Sequence, residues 1–218
     1  MDLMMTEEPR PGDRYHHGNL RAALLDSALE VLSESGVAGF SMREAARRAG
    51  VSQSAPKHHF GDARGLLGAL ATRAYRQLCD RLEAVEVVGR DVPERVAALS
   101  AEYVAFARDN RALFDLMWRM TQFDFNDPDL VEQKHRALRA LDRGLRGQDA
   151  QLPDSTDPAL VPSYAVWSLV HGYTSLALEG AIDEDTTDPL TSDLLPAMLR
   201  LLDVSPTDRD QKTVTAKP

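Results

Sequence analysis

Residues 41–60 read SMREAARRAGVSQSAPKHHF, and the fold follows from how this stretch divides. Ser41 and Glu44 form an S-x-x-E capping box, with Phe40 placed to staple onto Ala45. The box predicts a short helix over Met42–Ala49, stopped by Gly50, which supplies the positive φ that a turn requires. Val51 then turns the chain, and Ser52 is expected to N-cap a second short helix running through His59. Pro56 lies near the first turn of that helix, where a missing N–H costs least. The small side chains of Ala45, Ala46 and Ala49 let the two helices approach, and Val51 and Phe60 are placed to plug the corner. Two short helices joined by a tight, glycine-containing turn match a helix-turn-helix, whose second helix enters the DNA major groove.

Outward from this unit nearly every segment has helical period, and no run of alternating β-branched residues points to a strand. Before it, Leu20, Leu24, Ala28, Val31 and Leu32 share one face of a helix over about Asn19–Ser35, with Gly36 as its C-cap. After it, a long helix is expected over Ala63–Val85, with Leu66, Leu67, Leu70, Ala74, Leu78 and Leu82 on the buried side. Further helices are expected over Val92–Arg108, Arg111–Thr121, Pro128–Leu145, Ala159–Ile182 and Leu190–Leu202, with a polar loop at Gly147–Pro158. The reading is all-α: a flexible arm over 1–14, a three-helix reader over 15–61, a helical effector-binding and dimerisation domain over 62–204, and a disordered tail over 205–218. The total comes to about nine helices.

The chain has 218 residues, one cysteine and a net charge of -9. One cysteine allows no internal disulfide, no segment is apolar enough to span a membrane, and the N-terminus lacks a secretory pattern; a cytoplasmic protein is expected. The acidic excess sits in the second part: residues 10–60 hold seven Lys/Arg against five Asp/Glu, and four of the six histidines. A mildly basic module on an acidic body is compatible with DNA binding, because only the docking face must attract phosphate. Motifs for a nucleophile elbow, a P-loop, a dinucleotide fold or an H-E-x-x-H zinc site are absent. The pairs His16–His17 and His58–His59 are adjacent and diverge on a helix, so neither reads as a metal site. No enzyme activity, metal or cofactor is expected.

The helix-turn-helix geometry assigns Gln53, Ser54, Lys57 and His58 as base readers, since Gln suits adenine and Lys suits guanine. Ser41, Arg43, Arg47 and Arg64 are better placed on phosphates, Ser52 and His59 complete the candidate DNA face, and Arg10 and Arg14 on the arm can reach a minor groove. The phrase A-x-x-A-G-V-S, followed by H-F and then L-L, resembles the N-terminal domain of the tetracycline-repressor-like (TetR) family over residues 15–67. WSLVHG at 167–172 and EYVAFARDNRALFDLMW at 102–118 resemble its subgroup with a Trp-His-Gly C-terminal domain. The similarity runs from Tyr15 to about Leu202. Two departures stand out: Lys57 where the family usually has Tyr, and Ala63, followed by Arg64, where it usually has Lys.

The resemblance implies a ligand-responsive regulator, by default a repressor, that binds a palindromic double-stranded DNA operator as a homodimer through its last two helices. Its effector would be a small, largely apolar molecule. Phe106, Phe114, Met117, Trp118, Phe123, Trp167 and His171 are the effector candidates, each of which can equally be core. For His171 the resemblance implies either the cavity or the packing behind it. Trp167, Leu169, Val170, Leu176 and Leu178 cover several faces of one helix, more than a single core-facing stripe needs, so a partner subunit is expected to cover the rest. The competing reading is a helical small-molecule-binding protein that has lost or altered DNA recognition.

Overall fold

The computed structural model describes residues 17–147, 158–182 and 193–202. Arg10 and Arg14 of the expected arm, most of the polar loop before Pro158, and the tail after 204 lie outside them. The described residues form nine α-helices, one 3-10 turn and no strand. In chain order these are α1 (His17–Ser35), α2 (Met42–Arg48), α3 (Ala55–Phe60), α4 (Ala63–Ala84), α5 (Val92–Asp109), α6 (Arg111–Met117), α7 (Pro128–Arg146), α8 (Val161–Leu178) and α9 (Leu194–Leu201). The turn at Pro158–Leu160 leads into α8.

The helices group into two compact units. The first takes the described chain through Leu70 together with Gln122–Asp124; the second takes Ala71–Thr121 and the chain from Phe125. The division therefore falls inside α4, whereas the expected reader ended at Gly61. The first turns of α4 bring buried Leu66, Leu67 and Leu70 to the first unit.

In the first unit α1 buries Leu24, Leu25, Ala28, Val31 and Leu32. Removing one such leucine side chain costs about 2–5 kcal/mol, through lost transfer energy and the cavity left behind. Ala45 and Ala46 of α2 are fully buried, as close helix approach demands. Arg48 ties α2 back to α1, donating to Glu34 at 2.6 Å.

Only half of the expected capping box forms. The Ser41 hydroxyl accepts from the Glu44 N–H at 3.3 Å, but the Glu44 carboxylate turns to Arg47 and Arg48. A complete box occurs instead at Asp91 and Glu94, opening α5. A second difference concerns α3, which begins at Ala55 and not beside Ser52. A helix capped at Ser52 would put Pro56 at its fourth position, where a backbone N–H is required and the ring meets the carbonyl of Ser52. Starting at Ala55 puts Pro56 in the first turn, where no N–H is needed. Ser52 therefore caps nothing; its hydroxyl lies 3.1 Å from that of Ser54.

The second unit is built around α5, which packs on α6, α7, α8 and α9. Gly144 lets α7 cross close to α5, since a Cβ there would sit 2.5 Å from Leu99 Cδ1. The carboxylate of Asp142, nearly inaccessible, accepts from Arg146 at 2.9 Å and from the Ser163 hydroxyl at 2.8 Å, joining α7 to α8. Several ends move from their expected places. α6 stops at Met117, short of Thr121, and α8 begins at Val161 and ends at Leu178.

Candidate functional site

In the first unit the turn between α2 and α3 is made by Gly50, whose φ of 68° lies in the left-handed region. The Val51 N–H donates to the Ala46 carbonyl at 3.1 Å, and the Ala55 N–H to the Ser52 carbonyl at 3.0 Å. The far end of α3 is equally confined. A Cβ on Gly65 would fall 1.9 Å from the Phe60 carbonyl oxygen, so the α3–α4 corner admits no side chain there. Asp62 starts α4 by accepting the Gly65 N–H at 2.9 Å, a cap that the sequence reading missed although aspartate before a helix is its usual signal. The Arg21 guanidinium lies 5.2 Å from the Phe60 ring centroid, and the half-buried Phe60 closes the corner.

Gln53, Ser54, Lys57, His58 and His59 are all exposed around α3, with Gln53 and Ser54 in the turn before it and not on its first turn. Ser52 is exposed beside them, and Ser41 is half-buried as the α2 cap. Arg43, Lys57 and Arg64 are exposed, and no carboxylate among the described residues pairs with them. Arg47 is exposed too, but it meets Glu44 at 2.6 Å. The guanidinium of Arg47, and then that of Arg48, draws the Glu44 carboxyl down to about 2. An exposed pair of this kind is weak, and Arg47 stays exchangeable toward another anion.

In the second unit lies a cavity of about 310 Å³ walled by α4, α5, α7 and α8. Of the seven effector candidates, Trp118 and Trp167 line it. Phe106, Phe114 and Met117 do not; they are buried in the helix packing. Phe123 belongs to the first unit, where it packs beside Gly68. His171 stands behind the wall, its ring centroid 4.4 Å from that of Trp118 and 5.7 Å from that of Phe114.

His171 and Tyr103 orient the wall. Tyr103 hydrogen-bonds His171 Nδ1 at 3.0 Å and also engages Trp167. Burial lowers the His171 pKa and raises that of Tyr103, so both are neutral near pH 7.

The lining that the sequence reading passed over includes Tyr75 and Leu78 on α4, Ser100 on α5, and Lys134 with Leu138 on α7. Lys134, Leu138 and Leu141 repeat at four and three residues, so a lysine in register with an apolar stripe was the available signal. Among the described residues no cluster of His, Cys, Asp or Glu is arranged to hold a metal. No helix among them is long and apolar enough to cross a membrane.

One face of α8 is left open by the described residues. Val161, Ala165, Ser168, Leu169, Gly172 and Leu176 follow one another at helical spacing. Val161 is 63% and Leu176 53% exposed, and a Cβ on Gly172 would meet nothing within 4 Å. On α9, Leu194 and Leu201 are also exposed.

Residues 24–70 match the family described as bacterial regulatory proteins, tetR family, ending at the residue that closes the first unit. Residues 96–202 match the tetracyclin repressor-like, C-terminal domain, under that general description and not the Trp-His-Gly subgroup's name. The HTH-type transcriptional regulator BetI of Burkholderia cenocepacia is 29% identical over 134 residues, 60% of this chain and 68% of that protein. A protein with unknown function from Rhodococcus sp. RHA1 is 33% identical and superposes with a TM-score of 0.67, covering 86% of this chain and 97% of that one. Transcriptional regulator FadR from Bacillus subtilis, in complex with stearoyl-CoA, shares the fold at 18% identity and a TM-score of 0.59, covering 84% and 97%.

Proposed function

This chain belongs to the TetR family of bacterial regulatory proteins and is a transcriptional regulator, and we propose that it binds a palindromic operator as a homodimer and leaves it when a small apolar effector fills the cavity. The observation that carries the reading is the set of exposed, unpaired cations around α3: Arg43, Lys57 and Arg64. Around a helix-turn-helix such charges suit phosphates, while Gln53, Ser54, Lys57 and His58 supply donors and acceptors for base edges. Ser41, Arg47, Ser52 and His59 complete the face.

The exposed stripe on α8 supports dimerisation, because a two-fold contact through the same patch on both copies would cover Val161, Gly172 and Leu176. Two readers held in this way would engage successive major grooves about 34 Å apart. Tyr75, Leu78 and Leu82 of α4 line the cavity, and the same helix begins in the reader unit. Ligand filling the cavity would shift α4 and so change the spacing of the readers, with reciprocal coupling on the order of 1–3 kcal/mol. Ligand-bound FadR has this fold, which supports a sensor role for the helical unit.

Selection of the full chain against a random duplex pool, repeated at two salt concentrations, tests the reading. An enriched palindrome with a steep salt dependence is expected. Absence of enrichment at low salt would favour the alternative of a helical ligand-binding protein without sequence-specific reading, to which the departures at Lys57 and Ala63 point.

A further inference from the structure

The polar groups of the cavity are one-sided. In a chain of net charge -9 no aspartate or glutamate among the described residues lines it, while Lys134 and His135 do. Lys134 is half-buried on α7; its Nζ donates to the Phe125 carbonyl at 3.0 Å and lies 3.3 Å from the centroid of that ring. An ammonium carries three donors, and no carboxylate among the described residues takes the other two. Burial lowers the Lys134 pKa, as expected of a cation held without an anion.

Other cations of the same unit are treated differently. Arg81 pairs with Glu102 and Asp109, Arg136 with Glu83 and Asp80, and Arg146 with Asp142. Two lining residues, Ser100 and Trp118, each keep a buried polar atom, the Ser100 hydroxyl and the Trp118 indole N–H, with no hydrogen-bond partner among the described residues, and Ser100 is only 3% exposed. A buried polar group left unpaired costs about 1–3 kcal/mol. Tyr103 is not in this position, since His171 and Trp167 engage its hydroxyl. The cavity lining thus carries a positive charge and, among the described residues, no carboxylate, and is otherwise largely apolar.

We propose that the effector is an amphipathic anion, with an apolar body and a carboxylate or equivalent oxyanion held by Lys134. The assignment rests on the sensor reading of this cavity and narrows it to a ligand class.

The chain's two tryptophans, Trp118 and Trp167, both line the cavity, so intrinsic fluorescence reports its occupancy. The full chain would be titrated with decanoate, decanol and decyltrimethylammonium, which share an alkyl chain and differ in the head group. Decanoate is expected to bind tighter than decanol on the order of tenfold or more, the scale of one charge-assisted hydrogen bond, with the cation weakest. Lys134→Gln should abolish the preference while keeping decanol affinity, and Lys134→Arg should retain it. Equal or tighter binding of decanol or the cation, or a preference that survives in Lys134→Gln, overturns the proposal and leaves the sensor cavity standing. No fluorescence response to any of the three overturns the cavity reading, and this proposal with it.

Discussion

Three cations around α3 and the arginines that join helices of the second unit are held in opposite ways. Around α3, Arg43, Lys57 and Arg64 are exposed and meet no carboxylate among the described residues. In the second unit, Arg81, Arg111 and Arg136 are each bound to carboxylates of other helices or turns, and Arg143 reaches the backbone carbonyl of Leu82 at 3.0 Å. An arginine already matched by carboxylates holds helices together, whereas an unmatched one on a convex surface is available to a polyanion. Net charge hides this difference, because it counts residues and not partners. A chain of -9 can therefore carry a DNA-reading face.

The comparison breaks most visibly at Gly65. In Gly65→Ala the new Cβ must displace the Phe60 carbonyl, so the α3–α4 corner opens. Operator affinity should fall about a hundredfold or more, equivalent to ~2.7 kcal/mol or above. Fluorescence anisotropy with the selected duplex measures this, and the tryptophan fluorescence response to ligand should survive. Leu176→Glu comes next, placing a charge in the face assigned to the partner subunit. Sedimentation should show monomers, with dimer affinity weakened by tenfold to a hundredfold, about 1.4–2.7 kcal/mol. A dimer that tolerates glutamate at this position would move the interface elsewhere.

The cations themselves can be exchanged between roles. Lys57→Ala should weaken operator binding by about 1–3 kcal/mol. If Lys57 meets a phosphate, the salt dependence also flattens by about one counterion; if it reads a base, one operator position loses its preference. Arg81→Ala removes the same charge from the second unit and should leave DNA affinity within error. It should instead lower the melting temperature, because Glu102 and Asp109 lose their common partner.

The smallest effect is in pH. Burial depresses the His171 pKa below its unfolded value near 6.5. Above that value both states are neutral and the contribution to stability is complete. As pH falls below it, the unfolded chain takes up a proton that the folded chain refuses, and stability drops until the folded pKa is reached. Melting temperatures between pH 7.5 and 5.5 should show this decline, and His171→Gln should flatten part of it.

What could be read in advance was local. Gly50, the Ser41–Glu44 spacing and the apolar stripe of α1 act within a few residues of themselves, so the helices and the turn follow from order along the chain. Even the late start of α3 was available, since Pro56 excludes a helix capped at Ser52. The effector candidates were legible only as aromatic and methionine side chains, with His171, that could equally be core. It took the crossings of α4, α5, α7 and α8 to turn Trp118 toward the cavity and Phe114 into the core, and to assign Phe123 to the other unit.

The sequence alone determined the helices, the helix-turn-helix and the family, because periodicity, capping and turn chemistry need no distant partner. The tertiary structure decided which cations stay exposed, which aromatic rings face the cavity, and that Lys134 meets no acid there among the described residues. Those are questions of burial and partnership, and they are settled only when segments far apart in the chain come together.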